Sequence, residues 1–258
     1  MPFELLAQYL KLPVFALVAA RLGGLIMFQP VLGSLAVPTN VRVVLVLGLA
    51  ALLTPVVSLP ATAPATPGGI VLAMAGEVLL GALIGAVSVA CFIGLQMGGL
   101  LIAQESGIAF GQIVDPNTEE QETVIGMFYL QLAMVVFLIV GGHRAIVTAC
   151  LETFRTIPLL GGGFSARLGS ELLLQALTLG GQVALRVAAP TMLAMFLVNL
   201  AMGFISRTMP QFNILSFGFS VKSMLAFLLM AVSLPSAANA LIGALEHACR
   251  WLNTLVGT

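Results

Sequence analysis

The chain has 258 residues, of which 60% are apolar and only 8% are charged, and its ten basic residues balance its ten acidic residues. This composition, with a mean hydropathy of +1.12, is typical of a membrane protein and argues against a water-soluble domain. The basic residues are spread singly along the sequence, which argues against nucleic acid as a partner because no basic patch is formed.

Several stretches without charge are long enough to cross a membrane as helices. They are residues 78–104, 123–142, 187–206 and 223–245. Each approaches or exceeds the ~20 residues that an α-helix needs to span the hydrocarbon layer. The sequence therefore predicts an all-α fold of membrane-type helices, in contact with membrane lipid.

The N-terminal part of the chain predicts two helices and a connector. The first helix is expected over residues 5–27, and the prolines and glycine of residues 29–38 then interrupt it. A second helix is predicted to start near Thr39. Residues 59–69 carry three prolines and are interpreted as an extended surface connector.

A third helix is predicted from Ile70 to about Gln104, which is longer than one perpendicular membrane crossing needs. Small residues recur along it at every fourth position: Ala82, Ala86, Ala90, Gly94 and Gly98. Small side chains on one helical face let another backbone approach closely. We therefore predict that this stripe is a packing face between subunits.

The segment "QESGIAFGQIVDPNTEEQE", residues 104–122, separates two apolar stretches and has two parts. Its second part contains a capping-box pattern beginning at Thr118, which predicts a new helix near Glu119. Its first part, residues 106–114, is an apolar string broken by Gly107 and Gly111. Such a string must be buried in protein or line a cavity, because an unsatisfied backbone is costly in lipid.

The second half of the chain predicts a helix with one polar face. Polar residues recur there at spacings of three or four: Glu171, Gln175, Thr178, Gln182 and Arg186. One side of this helix is expected to face water or a polar partner. Further ionisable residues stand alone in apolar surroundings: Arg21, Arg42, Glu77, Arg186, Arg207 and Lys222. Isolated charges of this kind mark either a functional pathway or structural contacts at helix ends and between helices.

No pattern in the sequence indicates catalysis. The three cysteines have no metal-ligand spacing and are interpreted as buried, unreactive thiols, and the two histidines are interpreted as structural. Sequence motifs of hydrolases, metalloproteases and nucleotide-binding loops are absent. We therefore predict no catalytic residue, no metal site, no cofactor and no enzyme activity.

Four blocks of the sequence resemble the FliR family of flagellar export-gate proteins and occur in the order found in that family. They are "ARLGGLIMFQPVLGSLAVPTNVR", "GIAFGQIVDPNTEEQ", "FLIVGGHRAIV" and "RTMPQFNILSFGF". The resemblance covers nearly the whole chain. The SctT family of virulence injectisomes shares the same architecture and is kept as an alternative.

The resemblance implies an all-α subunit made of hydrophobic helical hairpins in a hetero-oligomeric helical assembly. One copy of the chain would assemble with several copies of FliP and FliQ homologues, with FlhB and FlhA as further partners and unfolded proteins as exported substrates. Residues 1–160 would correspond to a FliP-like portion and residues 161–258 to a FliQ-like portion. The implied location is the flagellar basal body in the bacterial inner membrane.

The resemblance also implies that the loop at residues 106–114 helps to plug the closed export channel. The plug residues are Ser106, Gly107, Ile108, Phe110, Gly111, Ile113 and Val114. The alternative is a static buried turn. Six polar residues are predicted to have structural roles: Arg21, Arg42, Asp115, Arg207, Gln211 and Lys222. A small-solute or ion transporter is the more distant alternative, and it would require an inverted repeat or carboxylates along a pathway.

Overall fold

A computed structural model describes residues 2–33, 37–57, 67–108, 123–157, 159, 166–209 and 214–257. Seven helices occupy these ranges, and none of the described residues lies in a β-strand. The helices are α1 (Pro2–Phe28), α2 (Thr39–Leu53), α3 (Pro67–Ser106), α4 (Val124–Val140), α5 (Gly142–Thr156), α6 (Ala166–Thr208) and α7 (Ile214–Gly257). The predicted all-α fold is confirmed, as is the predicted start of the second helix at Thr39.

Three of the described helices are long and apolar enough to cross a membrane: the segments Gly68–Ser106, Arg167–Thr208 and Phe217–Leu252. Helices α4 and α5 together meet the same test but are bent by 67° at the break between them. Gly141 occupies this break with a φ of 74°, a left-handed conformation that strains residues with a side chain. The chain is therefore a membrane-embedded helical protein, with up to four candidate spans in its described part.

The chain divides into two compact units, and the first contains Met1–Ala90, Gly141–Leu177 and Leu245–Thr258. Its core includes the closely packed crossing of α1 and α3. A Cβ atom on Gly24 would collide with the backbone of Val78, and one on Gly81 would collide with the backbone of Arg21. Glycine is needed at both positions because the two backbones are nearly in contact.

The second unit contains Cys91–Val140 and Thr178–Ala244. The Phe92 ring meets the Phe137 ring edge to face, with centroids 5.2 Å apart, and both side chains are buried. This geometry is one of the preferred arrangements of aromatic pairs. The pair joins the C-terminal half of α3 to α4.

Helix α2 is largely exposed along its length, and of its residues Ala50 is buried. Its exposed large side chains are Val41, Val43, Val44, Leu47 and Leu52. Apolar side chains of α2 are exposed on most sides of the helix, so lipid or another protein is needed to cover most of its surface.

Candidate functional site

The predicted plug segment leaves α3 through a glycine. Ser106 is buried at the helix end and its hydroxyl donates to the Ala103 carbonyl at 3.0 Å. Gly107 follows with a φ of 81°, and its amide donates to the Gln104 carbonyl at 3.2 Å. This left-handed glycine ends the helix in the manner of a C-terminal cap. Ile108 comes next and is half-buried.

The chain enters α4 through a threonine cap. The Thr123 hydroxyl accepts a hydrogen bond from the Gly126 amide at 3.0 Å, and α4 begins at Val124. This is the usual way in which an N-cap side chain satisfies a free amide at a helix start. The remaining predicted plug residues lie outside the described part of the chain: Phe110, Gly111, Ile113 and Val114. The capping box beginning at Thr118 lies outside it as well.

The two helices that flank this segment are packed tightly at its base. A Cβ on Gly99 of α3 would lie 2.8 Å from the Gly126 Cα and 2.8 Å from the Tyr129 ring. The Tyr129 hydroxyl is 2.8 Å from the Ser233 hydroxyl, which ties α4 to α7. The helices that flank the predicted loop are therefore in close contact at Gly99 and Gly126, and the hydrogen bond of Tyr129 joins the second of them to α7.

The small-residue stripe on α3 contacts helices of the same chain at three of its five positions. Ala82 packs against Gly24 of α1, and a Cβ on Gly94 would collide with the Gly180 backbone of α6. A Cβ on Gly98 would lie 3.1 Å from the Ala184 carbonyl. Ala86 and Ala90 are half-buried. The stripe is thus a packing face within the chain, and its predicted role between subunits stays a prediction.

Arg21 lies at the centre of a buried polar cluster in the first unit. Its side chain is fully buried, and Nε donates to the Glu77 carboxylate at 2.6 Å. The two terminal nitrogens donate to the Thr153 hydroxyl at 3.3 Å and the Ile157 carbonyl at 3.1 Å. The guanidinium also lies over the Phe154 ring, 4.3 Å from its centroid.

This cluster satisfies a charge that would otherwise be costly to bury. An ion pair inside a protein stabilises the fold only when further hydrogen bonds complete it, and Arg21 has them. The cluster joins α1, α3 and the end of α5. The sequence identified Arg21 and Glu77 as isolated charges but gave no sign that Thr153 and Phe154 complete their site.

The other predicted structural residues are dispersed. Arg42 donates to the Val37 carbonyl at 3.1 and 2.8 Å and so ties the start of α2 to the segment before it. Arg207 is exposed in the last turn of α6, and Lys222 is half-buried on α7. Gln211 lies outside the described residues, as does Asp115. Those of the six predicted structural residues that the structure describes do not form one common site.

Metal-ligating side chains are not clustered in the described ranges, where no group of three or more His, Cys, Asp or Glu is found. The three cysteines form no disulfide; Cys91 and Cys150 are buried, and Cys249 is half-buried. What the described structure offers is therefore apolar helix surface, one buried ion pair and a glycine-capped loop base.

Comparison with known proteins identifies the family. The sequence profile of bacterial export proteins, family 1, matches residues 12–248. The chain is 29% identical to the flagellar biosynthetic protein FliR of Caulobacter vibrioides, over 87% of this chain and 90% of that protein. It is 30% identical to FliR of Escherichia coli K12, over 83% and 82%.

A third relative is the secretion system apparatus protein SsaT of Salmonella typhimurium, 28% identical over 63% of this chain and 62% of that protein. The matches to these two FliR proteins cover more of both chains than the match to SsaT. The predicted resemblance is confirmed, and the chain belongs to the family of bacterial export proteins, family 1, with the FliR proteins as its relatives.

Proposed function

We propose that this chain is a core subunit of the flagellar type III protein export gate. With several copies of FliP and FliQ homologues it forms the channel for unfolded flagellar proteins, in the basal body of the bacterial inner membrane. FlhB and FlhA homologues are further partners. The proposal is supported by the family and by relatives that are named as flagellar biosynthetic proteins.

The observation that carries this proposal is the large apolar surface that the chain itself leaves uncovered. In α6, only 22% of an 18-residue apolar stretch is buried within the chain. The same share is buried in the corresponding stretch of α7. Large exposed side chains include Leu193, Phe196, Leu197, Phe204, Met224, Phe227, Leu228 and Val232. Such a surface requires lipid or other subunits to cover it, as expected of one component of a membrane assembly.

We further propose that residues 106–114 form part of the plug of the closed channel. An apolar segment can stop water and ions as a hydrophobic constriction, and glycines let its backbone rearrange. Support comes from the described base of the segment, where Gly107 is left-handed and the flanking helices are held together at Gly99 and Gly126.

Assembly is tested by expression with and without the partners. The chain expressed alone is expected to aggregate in mild detergent, whereas co-expression with FliP and FliQ homologues should give a stable complex. Native mass spectrometry of the purified complex measures its composition. A stable, monodisperse monomer that does not bind either partner would overturn the export-gate proposal.

The plug is tested by deleting residues 107–114. The deletion should leave a leaky pore, because the proposed constriction is removed while the packed helices that flank it remain. Ion conductance is compared with that of the unaltered complex at equal complex abundance, and Phe110→Ala should give a smaller leak. Normal abundance without a leak in the full deletion would show that this segment does not seal the channel.

A second candidate function is the equivalent subunit of a virulence injectisome, the SctT family. The match to SsaT favours it, since that protein is named as part of a secretion system apparatus. The wider coverage of the FliR proteins of Caulobacter vibrioides and Escherichia coli favours the flagellar role. Mass spectrometry of proteins that copurify from the native organism separates the two, because flagellar and injectisome partners differ in sequence.

A further inference from the structure

Helices α6 and α7 each contain a proline well inside the helix: Pro190 in α6 and Pro235 in α7. A proline has no backbone N–H, so the helix loses the hydrogen bond to the carbonyl four residues earlier, and the proline ring crowds that carbonyl. Bends in helices concentrate at such places. The helical hydrogen bonding is therefore interrupted at residues 186–190 of α6 and at residues 231–235 of α7.

The two interruptions lie at the same level of the hairpin that α6 and α7 form. The connection between the helices is only five residues long, and a Cβ atom on Gly218 would lie 3.0 Å from the Met202 methyl group. A contact between these two positions, one on each side of so short a connection, means that the helices run antiparallel. Counted in equal steps from this contact, residues 186–190 of α6 oppose residues 230–234 of α7. The interruption in α7 lies within one residue of that position.

On the side of the prolines away from the connection, both helices are packed against other helices. A Cβ on Gly94 of α3 would collide with the Gly180 backbone, and one on Gly98 would lie 3.1 Å from the Val187 side chain. On α7, the Ser233 hydroxyl is bonded to Tyr129 of α4 just before the proline. Buried residues of this packed half include Leu179, Val183, Val187, Ala188, Ala237, Ala240 and Leu241.

On the side towards the connection, most residues of both helices are exposed. We call residues 191–208 and 214–230 the α6–α7 arm. The α6 part of the arm extends for about 27 Å, at ~1.5 Å per residue. Few of its described side chains are buried, and Met202 of α6 packs on Gly218 of α7. The prolines therefore stand at the boundary between a half of the hairpin that α3 and α4 hold and a half in which the two helices contact each other.

We propose that the α6–α7 arm swings as one body about a joint formed by Pro190 and Pro235. Both interruptions are needed for this motion, because an intact helix beside an interrupted one would resist bending. Both proline rings are exposed, so the packing of their side chains does not account for their presence. Hinges of a few residues are a common means by which one part of a protein moves while another stays in place.

The joint gives the arm a way to change its angle without disturbing the contacts of the packed half with α3 and α4. The large apolar surface of the arm moves with it, so its position relative to the lipid or subunits that cover it changes. The inference concerns the mechanics of the hairpin and does not depend on the export-gate role or on which secretion system the chain serves.

The joint is tested by measuring a distance distribution between two spin labels. Genetically encoded reactive residues replace Ser206 in the arm and Ile139 of α4, both exposed, and carry nitroxide labels. Double electron–electron resonance is recorded on the protein purified in mild detergent with the subunits that copurify with it. Pro190→Ala/Pro235→Ala should narrow the distribution about twofold, because both missing backbone hydrogen bonds are restored. A distribution of unchanged width in this variant would overturn the proposal.

The single variants distinguish one shared joint from two independent bends. Pro190→Ala alone, or Pro235→Ala alone, should narrow the distribution nearly as much as both changes together, because one uninterrupted helix holds the other straight. Narrowing that adds up from the two single variants would contradict a shared joint. Pro13→Ala is the matched control, since Pro13 also lies inside a helix but in α1. An equal narrowing by Pro13→Ala would show that the effect does not arise at the joint and would overturn the proposal.

Discussion

Helix α3 differs from helices α6 and α7 in how much of its apolar surface is buried within the chain, although all three are long and apolar. The chain itself buries 61% of an 18-residue apolar stretch of α3. It buries only 22% of the corresponding stretch of α6, and 22% of that of α7. Helix α3 packs through glycines at which two backbones nearly touch, while α6 and α7 present large side chains outward. Apolar character alone therefore does not say whether a helix packs within its own chain or against something else.

The difference teaches where the stability of each region originates. The packing of α1 on α3 needs glycine at specific places and a paired charge in the interior, so its stability depends on residues of this chain. The exposed faces of α6 and α7 contribute little until lipid or other subunits cover them. Mutations should therefore act on folding in the first region and on external contacts in the second.

The largest expected effect comes from breaking the buried ion pair. Arg21→Met should lower the free energy of unfolding by about 3–5 kcal/mol, since the Glu77 carboxyl group would be left buried without its partner. The surface pair of Arg167 and Glu171 is the control, and Arg167→Ala should cost no more than about 1 kcal/mol. Unfolding of the detergent-purified complex in sodium dodecyl sulfate measures both.

The double variant Arg21→Met/Glu77→Met tests whether the loss arises from the pair. It should recover part of the stability lost in either single variant, because no unpaired charge is left in the interior. Simple addition of the two single losses would show that the residues act independently.

A smaller loss is expected at the crossing of α1 and α3. Gly24→Ala should lower the free energy of unfolding by about 1–3 kcal/mol, because its Cβ would collide with the Val78 backbone. The neighbouring Gly23 is a matched control: a Cβ there meets nothing within 4 Å. Gly23→Ala should be neutral or stabilising by up to about 1 kcal/mol, from helix propensity. Equal effects at both positions would show that the close crossing does not limit packing.

A moderate loss is expected from the hydrogen bond between α4 and α7. Tyr129→Phe should cost about 0.5–1.5 kcal/mol, because the ring stays in place while the bond to Ser233 is lost. Ser233→Ala should cost a similar amount, and the two together little more than either alone. Thermal unfolding of the complex in detergent is the measurement, and full additivity of the two changes would contradict a direct bond.

The smallest effect is expected on the exposed face of α6. Leu197→Ala should change the free energy of unfolding in detergent by less than about 0.5 kcal/mol, because its side chain is mostly exposed. Leu25→Ala, at a fully buried position of α1, should cost about 2–5 kcal/mol under the same conditions. Similar losses of stability at the two positions would contradict the distinction between helices that pack within the chain and the exposed face of α6.

The sequence predicted the helices well because apolar runs and helix breakers are local signals. The start of α2 at Thr39 and the unusual length of α3 followed from Pro38 and from the uninterrupted apolar stretch after residue 69. The family followed from four short blocks, which comparison with relatives confirmed.

The partners of the buried charges could not be predicted in the same way. Arg21 and Glu77 each stood out as isolated, but nothing local indicates that α1, α3 and α5 meet at one point. Thr153 was missed because a threonine inside a helix has no distinctive pattern. The small residues at 94 and 98 were recognised as a packing face, yet the sequence could not show that α6 of the same chain packs there. The plug residues beyond Ile108 lie outside the described ranges, so their role stays a prediction.

The buried cluster around Arg21 has a consequence for how the protein is made. Its hydrogen-bond partners lie 56, 132 and 136 residues further along the chain. At a synthesis rate of ~5–20 residues per second, Arg21 leaves the ribosome on the order of ten seconds before the last of them. During that interval the guanidinium must stay in water or at the membrane surface, because a lone charge is not stable in the hydrocarbon layer. Helix α1 can therefore reach its final position only after α3 and α5 have been translated.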